Sequence, residues 1–213
     1  MRKALIVWGG WEGHEPEQCA HIFRDWLTED GFSVDLADST AAFADPALDG
    51  FSLIVPIFTM SRIEKQEAAN LVAAVEGGVG LAGHHGGMGD AFRECVEYQF
   101  MVGGQWVAHP GDIIDYRVEI AKPHDPVVEG IPDFDYRSEQ YYMHVDPSNE
   151  VLATTRFSGE HAWWIEGVVM PVVWKRRYGK GRVFYSSLGH KAGEFAVPQM
   201  STILRRGMNW AAR

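Results

Sequence analysis

The hydrophobic residues in the first half of the chain alternate between short continuous runs and stripes at helical spacing. Residues 4–8 form an unbroken apolar run, which is typical of a strand buried on both faces. Residues 15–30 carry their apolar positions on one face, which predicts a helix, and Gly31 follows where helices often end in glycine. Three more segments are strand-like: 33–36, 53–58 and 79–83.

Two further helices complete this half. Ser61 and Glu64 have the spacing of a capping box and predict the start of a helix that stops at Gly77 and Gly78. Another helix is expected around residues 90–100, after a glycine-rich turn. Strands that alternate with helices in this way indicate an open, mostly parallel sheet with helices on its faces.

The second half contains more strands than helices. A hairpin turn is predicted at residues 178–181, and a closing helix at 198–211 with its apolar side inward. The strands predicted here are 116–120, 150–154, 168–175 and 181–187. The chain is therefore expected to be a single-domain α/β protein, residues 1–213, with a flavodoxin-like, mostly parallel central sheet flanked by helices.

Composition narrows the classes of partner. The chain has 213 residues, 46% of them hydrophobic, and a net charge of -10. It can therefore bury one core, and it repels phosphate backbones and anionic lipid, so we expect no nucleic-acid and no membrane partner. Cys19 and Cys95 are expected to be free thiols, and no secretory leader or spanning segment is evident, so the cytoplasm is the expected location.

Candidate chemistry is sought where strands end, because ligands of such sheets bind at the carboxyl edge. The first strand is followed by Gly10, Trp11 and His14. Glycine at this point lets backbone amides approach a ligand, and the helix that follows favours negative charge or oxygen. Two interpretations stay open: a ligand-binding turn, or a tight turn with His14 at the surface.

The most informative segment is Gly83-His84-His85-Gly86-Gly87. It has the glycine frame of a nucleophile elbow, a strained turn between a strand and a helix, with His85 at its centre. An imidazole there can act as a general acid or base, a hydrogen-bond donor or a metal ligand, but it is a poor nucleophile for amide hydrolysis. The alternative is a glycine-rich turn with two solvent-exposed histidines. His84 is expected to point elsewhere and to be structural.

Two later segments add polar and aromatic candidates. His190 follows a predicted strand, and Glu139, Tyr142 and His144 lie together earlier in the chain. Aromatic rings beside hydrogen-bonding groups suit a sugar, whose C–H faces are apolar and whose hydroxyls need partners. The alternative is ordinary core or sheet packing of the aromatic residues Tyr141, Tyr142, Trp163 and Trp164.

Four histidines lie at or near predicted strand ends: His14, His85, His144 and His190. Neutral imidazoles are good ligands, so the four can share a divalent metal such as zinc or manganese. The chain has no closely spaced pair of histidines of the metal-binding type, so each ligand would come from a different segment. The alternative is that these histidines hydrogen-bond to substrate hydroxyls and to one another.

Four segments resemble the ThuA-like (trehalose utilisation) family, which is similar in fold to class I glutamine amidotransferase domains. They are residues 7–14, 80–86, 124–142 and 171–190, and they follow the family's order across nearly the whole chain. By this resemblance His85 takes the place of the nucleophilic cysteine, His190 matches the family's late histidine, and Glu139 matches its acidic residue. The family usually has Asp-Glu where this chain has Ser138-Glu139, so one carboxylate is missing.

The resemblance implies an enzyme of carbohydrate metabolism that acts on a disaccharide or an oxidised (keto) sugar, such as a trehalose derivative. His85 and His190 would be catalytic and exchange protons with the sugar, and Glu139 would orient one imidazole. The substrate-binding residues would be Gly10, Trp11, His14, Tyr142 and His144. Without an elbow cysteine, glutaminase activity is not expected.

The alternative to an enzyme is a non-catalytic sugar-binding or assembly protein that kept the scaffold and lost the nucleophilic Cys. In both cases the expected partner is a small-molecule carbohydrate. A homo-oligomer stays open.

Overall fold

The structure, a computed structural model, describes residues 2–213, in which strands and helices alternate at first and strands dominate later. The strands are β1 (Arg2–Gly10), β2 (Phe32–Ala37), β3 (Leu53–Thr59), β4 (Gly80–His84), β5 (Gly104–Ala108), β6 (Ile113–Ile120), β7 (Phe134–Glu139), β8 (Tyr142–Val145), β9 (Glu150–Arg156), β10 (Val169–Tyr178) and β11 (Gly181–Ser186). The helices are α1 (Pro16–Glu29), α2 (Lys65–Gly77), α3 (His85–Gly89), α4 (Val96–Val102) and α5 (Pro198–Ala211).

One nine-stranded sheet has the order β2-β1-β3-β4-β11-β10-β9-β6-β7, and β5 pairs with β8 in a separate two-stranded sheet. The first five strands in this order pair in parallel, and the remaining neighbours pair antiparallel. The predicted fold class, a mostly parallel sheet flanked by helices, is confirmed. The two runs expected inside the sheet form β1 and β4, and each has a strand on both sides.

Successive side chains of β1 point to opposite faces of the sheet, and helices cover both faces. Ala4 and Ile6 belong to the core under α1 and α5, whereas Leu5 and Val7 belong to the core under α2 and α4. The apolar run is unbroken because neither face of this strand meets water. Helix α5 has the predicted bounds, and its predicted inward residues are buried: Met200, Ile203, Leu204 and Met208.

The capping box predicted from Ser61 to Glu64 is wrong. Glu64 is itself the N-cap of α2, and the side chain of Glu67 accepts the hydrogen bond of its backbone N–H at 3.0 Å. Ser61 lies outside the helix, before its N-cap, and its backbone N–H donates to the carbonyl oxygen of Ala91 at 2.8 Å. The capping chemistry is therefore the expected one, shifted by three residues along the chain.

The helix expected around residues 90–100 begins later than predicted, and a separate short helix precedes it. Helix α3 begins at His85, directly after β4, and α4 begins only at Val96. Between them Asp90 leaves the helix and binds Arg93 through two hydrogen bonds of 2.6 and 2.8 Å. Three strands that the sequence did not predict, β5, β7 and β8, follow this region, whereas the predicted hairpin turn between β10 and β11 is confirmed.

Both cysteines are free thiols, as predicted: Cys19 is buried in α1, and Cys95 is half-buried just before α4. Among residues 2–213, no helix combines the length and the apolar character that crossing a bilayer requires.

Candidate functional site

His85 lies at the sharp turn between β4 and α3, and its φ angle is 44°. A positive φ strains a residue that carries a Cβ, so the predicted backbone strain at His85 is confirmed. Two glycines make room for the turn: a Cβ on Gly83 would lie 2.6 Å from Met88, and one on Gly86 would lie 2.6 Å from the His14 ring. The His85 residue is only 1% exposed, so its ring faces other side chains and not open solvent.

Four buried side chains from four separate segments meet beside this turn: His14, His85, Glu139 and His190, named here the histidine–glutamate cluster. His14 lies in the turn after β1, Glu139 ends β7, and His190 follows β11. Each residue offers one ligand atom, and these atoms all lie within 4.8 Å of one another. The structure therefore brings three of the four predicted histidines together around a carboxylate.

Glu139 lies at the centre of the cluster. Its Oε2 is 3.0 Å from Nε2 of His85, 3.4 Å from Nδ1 of His190 and 4.0 Å from Nε2 of His14. Burial favours the neutral acid, but the adjacent His190 and His85 imidazoles outweigh it and hold the pKa of Glu139 below its usual range. The carboxylate is therefore ionised at neutral pH.

Contacts outside the cluster orient two of its imidazoles. Nδ1 of His85 lies 2.8 Å from the carbonyl oxygen of Ser187. A carbonyl can only accept, so Nδ1 carries a proton, and in the neutral ring Nε2 keeps a lone pair. Nδ1 of His14 lies 2.7 Å from the hydroxyl of Thr59. Tyr141 stacks on the His85 ring with centroids 4.1 Å apart, which fixes the plane of that ring.

The His14 ring carries no positive charge. Desolvation, and then the neighbouring His85 and His190, lower the pKa of His14 to about 2, so this ring is neutral. A neutral His85 would turn its Nε2 lone pair towards the ionised Oε2 of Glu139. The 3.0 Å contact therefore requires either a second proton on His85 or a cation beside these two atoms. Nδ1 of His190 is also buried, and no group within residues 2–213 hydrogen-bonds to it.

Gly10 and Trp11 lie beside the cluster. Gly10 has a φ of 78°, and a Cβ there would lie 2.5 Å from the carbonyl oxygen of Thr59. The same carbonyl accepts a hydrogen bond of 3.1 Å from the N–H of Trp11. The Trp11 ring is 45% exposed and meets the His14 ring edge-on at 4.7 Å, so it links the cluster to the surface.

Tyr142 and His144 do not join the cluster. The Tyr142 ring packs against Phe157 with centroids 5.6 Å apart, and His144 is exposed. Side chains alternate along β8, so these two residues lie on the face opposite to buried Met143. This placement corrects the expectation that both residues line the pocket and that His144 is the fourth ligand, a position that Glu139 takes instead.

His84 points away from the cluster, as expected. Its ring meets Phe23 and Phe195 edge-on at 4.9 and 5.4 Å, and its Nδ1 has no hydrogen-bond partner in the described part of the chain. Burial, and then the neighbouring His85, lower its pKa to about 3. Both histidines of the elbow are buried, so the alternative of two solvent-exposed histidines is wrong.

Sequence reasoning missed three side chains that contact the cluster: Thr59, Tyr141 and His109. Thr59 ends β3, so the rule of strand ends could have found it. Nε2 of His109 lies 3.8 Å from Oε1 of Glu139, but His109 follows a strand that the sequence did not predict. Tyr141 faces the site and its neighbour Tyr142 does not. Consecutive residues of an extended segment point to opposite sides, and the sequence does not show which of the two tyrosines points to the site.

A sheet with a strained histidine elbow and a buried histidine–carboxylate cluster at its strand ends defines an α/β protein with a candidate active site. The chain belongs to the ThuA family, described as trehalose utilisation, whose model matches residues 3–211. This membership links it to carbohydrate metabolism. No curated protein compared with the chain matches it in sequence.

Solved structures with a similar fold include ThuA-like proteins of Bacteroides uniformis and Parabacteroides merdae. The first has a TM-score of 0.81 at 20% identity, over 99% of this chain and 91% of that one. The second has a TM-score of 0.82 at 18% identity, over 99% and 89%. A cytoplasmic protein of Salmonella typhimurium LT2 has a TM-score of 0.68 at 12% identity, over 99% and 100%. At these identities the similarity shows the fold.

Proposed function

We propose that the chain is an enzyme that acts on a disaccharide or an oxidised (keto) sugar, such as a trehalose derivative, at the histidine–glutamate cluster. Family membership supports the class of substrate. The observation that carries the proposal is the convergence of four ligand atoms within 4.8 Å, drawn from four segments. Burying titratable groups together costs free energy, and such clusters occur mainly at functional sites.

His85 and His190 exchange protons with the sugar, and Glu139 orients them. Oε2 of Glu139 lies close to a nitrogen of each ring, as an orienting carboxylate must. His85 is engaged at both nitrogens, whereas His190 faces Glu139 through Nδ1 alone, so His190 is the more available of the two. Trp11 presents an apolar ring to the sugar beside His14.

The same donor set fits a divalent metal such as zinc or manganese. Imidazole and carboxylate are ligand types that both ions accept. The second nitrogens of two rings contact Ser187 and Thr59, which is how proteins orient metal-binding imidazoles. A cation would also relieve the facing acceptors of His85 and Glu139 and satisfy Nδ1 of His190. When bound, it would polarise a sugar carbonyl or activate water.

A non-catalytic sugar-binding or assembly protein is the second candidate, and one observation favours it. His85 is 1% exposed and engaged at both nitrogens, so its ring reaches a substrate only after a rearrangement. A protein of this kind would bind a sugar without converting it.

Turnover separates the two candidates. The purified protein is analysed for zinc and manganese and is incubated with trehalose, related disaccharides and their 3-keto forms. We expect a product from at least one sugar, lost in His190→Ala and kept in His21→Ala, which removes an exposed histidine of α1. Sugar binding without a product would favour the second candidate, and undiminished turnover by His190→Ala would contradict the role of His190.

The partner in this proposal is a small-molecule carbohydrate, and the location is the cytoplasm. The two free thiols support this location, because reducing compartments keep thiols from pairing. The description of the Salmonella protein as cytoplasmic supports it as well.

A further inference from the structure

Trp163 and Trp164 are among the most exposed large hydrophobic residues of the described chain, at 78% and 70%. Their rings meet edge to face with centroids 5.9 Å apart. They lie in a short helical turn between β9 and β10, where buried Ala162 and Ile165 anchor the chain. The alternative of core or sheet packing is therefore wrong for both tryptophans, and an ordered turn holds two large apolar rings in water.

The loop that carries these tryptophans is held by two contacts, each to a segment that leads to the histidine–glutamate cluster. The end of β9, which leads into the loop, accepts side-chain hydrogen bonds of 2.7 and 3.3 Å from Gln140, the residue after Glu139. His161 of the loop packs on Gly111, where a Cβ would lie 2.4 Å from its ring. Gly111 shares a turn with His109, whose Nε2 faces Glu139. Both anchors of the loop thus adjoin Glu139.

The other exposed residues of this loop are polar. Glu160, His161 and Glu166 are exposed within four residues of the tryptophan pair in sequence. A loop that presents both indole rings and carboxylates suits a pyranose, whose C–H face stacks on a ring while its hydroxyls donate hydrogen bonds to carboxylates. A stable protein interface requires a continuous surface of about 800 Å² on each partner, whereas this loop mixes its two apolar rings with charged side chains.

We propose that Trp163 and Trp164 form an outer subsite, which binds one pyranose ring of a saccharide whose other ring lies at the histidine–glutamate cluster. This inference rests on the proposed function and specifies its substrate: a disaccharide or a longer glycoside, and not a monosaccharide. Trp11, exposed beside His14, contacts the inner ring.

Saccharide affinity tests this subsite. Trehalose and glucose are titrated by calorimetry into the wild-type protein and into a variant with Trp163→Ala and Trp164→Ala, whose exposed positions leave the core intact. Trehalose affinity should fall roughly two- to tenfold per ring, while glucose affinity stays unchanged. Phe100→Ala, which removes a 60% exposed residue from α4, should change neither affinity.

Three outcomes would overturn the subsite. They are a wild-type protein that binds neither sugar, an unchanged trehalose affinity in the double variant, and an equal loss for both sugars. An unchanged trehalose affinity together with a change in oligomeric mass would show that the rings join copies of the chain. Turnover measured in parallel separates the two proposals. Normal affinity and turnover in the double variant remove the subsite alone. Weakened trehalose binding in the variant, with no turnover in the wild type, removes catalysis alone.

Discussion

Nδ1 of His85 lies 2.8 Å from the carbonyl oxygen of Ser187, so the elbow residue is tied to the residue that follows β11. Strands β4 and β11 are parallel neighbours, and His84 pairs in register with Ser186. The next residue of each strand therefore meets its counterpart at the edge of the sheet. This hydrogen bond decides which nitrogen of His85 faces Glu139, so the register of two strands sets the protonation pattern of the cluster.

We expect Thr59→Val to weaken metal binding without disturbing the fold. The Thr59 hydroxyl lies 2.7 Å from Nδ1 of His14, and valine has nearly the same shape without that hydroxyl. The His14 ring loses its orienting hydrogen bond, so zinc affinity should fall about 10- to 100-fold. Competition with a chromophoric chelator measures it, with Thr28→Val on the exposed side of α1 as the control. Wild-type zinc affinity in Thr59→Val would show that His14 needs no orienting partner.

We expect Gly86→Ala to destabilise the protein by about 1–3 kcal/mol, the usual range for overpacking. Its Cβ would lie 2.6 Å from a carbon of the His14 ring, which cannot retreat freely because Thr59 holds its Nδ1. Gly193→Ala is the matched control, because nothing lies within 4 Å of a Cβ built there. The free energies of unfolding in urea give the comparison, and similar values for the two variants would contradict the close packing.

How far the sequence predicts this fold depends on burial. Strand β1 was predicted because a strand that is buried on both faces has an unbroken run of apolar residues. Helix α5 was predicted because a helix that is buried on one face has apolar residues at helical spacing. Strand β7 was missed because charged residues occupy three of its positions, Asp135, Arg137 and Glu139, at the edge of the sheet. Strand β8 has only four residues, which is too short for the alternation of apolar and polar residues to be recognised.

The site is predictable only where its signal is local. The elbow at His85 was recognised because its glycines lie next to it in sequence. His144 and Glu139 could not be ranked in advance, since the choice depends on which way β8 faces and on where β7 ends. The orienting contact from Thr59 joins residues far apart in the chain, and no pattern within one segment contains it.

The free energy of unfolding is expected to decrease as the pH is lowered below about 6.5. Burial, and then His85, lower the pKa of folded His84 from 6.5 to about 3, and desolvation with the two neighbouring histidines lowers that of His14 to about 2. The unfolded chain then binds protons that the folded chain does not, so the free energy of unfolding decreases as the pH falls from about 6.5 towards 3. Each histidine adds a slope of at most about 1.4 kcal/mol per pH unit.

Urea unfolding at several values between about pH 7 and about pH 5 measures this slope. His84→Leu removes one of the two histidines. The free energy of unfolding of this variant should therefore depend less steeply on pH, by up to about 1.4 kcal/mol per pH unit, whatever the substitution does to stability at neutral pH. Equal slopes for the variant and the wild type would mean that folded His84 accepts a proton as readily as the unfolded chain does.

No glutaminase activity is expected. The elbow carries His85, and burial raises the pKa of the Cys19 thiol to about 12, so Cys19 supplies no thiolate at neutral pH. Cys95 lies before α4, outside the elbow. Ammonia release is measured with glutamine before and after treatment with iodoacetamide. Ammonia that appears with glutamine and disappears after alkylation would refute the expectation.

The cluster draws its members from near both ends of the chain, with His14 in the first turn and His190 after the last strand. No short fragment contains more than one donor, so a partly folded chain cannot reproduce the set. A ligand held by all four residues therefore binds the native state alone and stabilises it by mass action. Bound ligand would therefore indicate that the whole sheet is folded, because the ligand is released when the sheet first opens. The melting temperature of the protein rises with the ligand concentration.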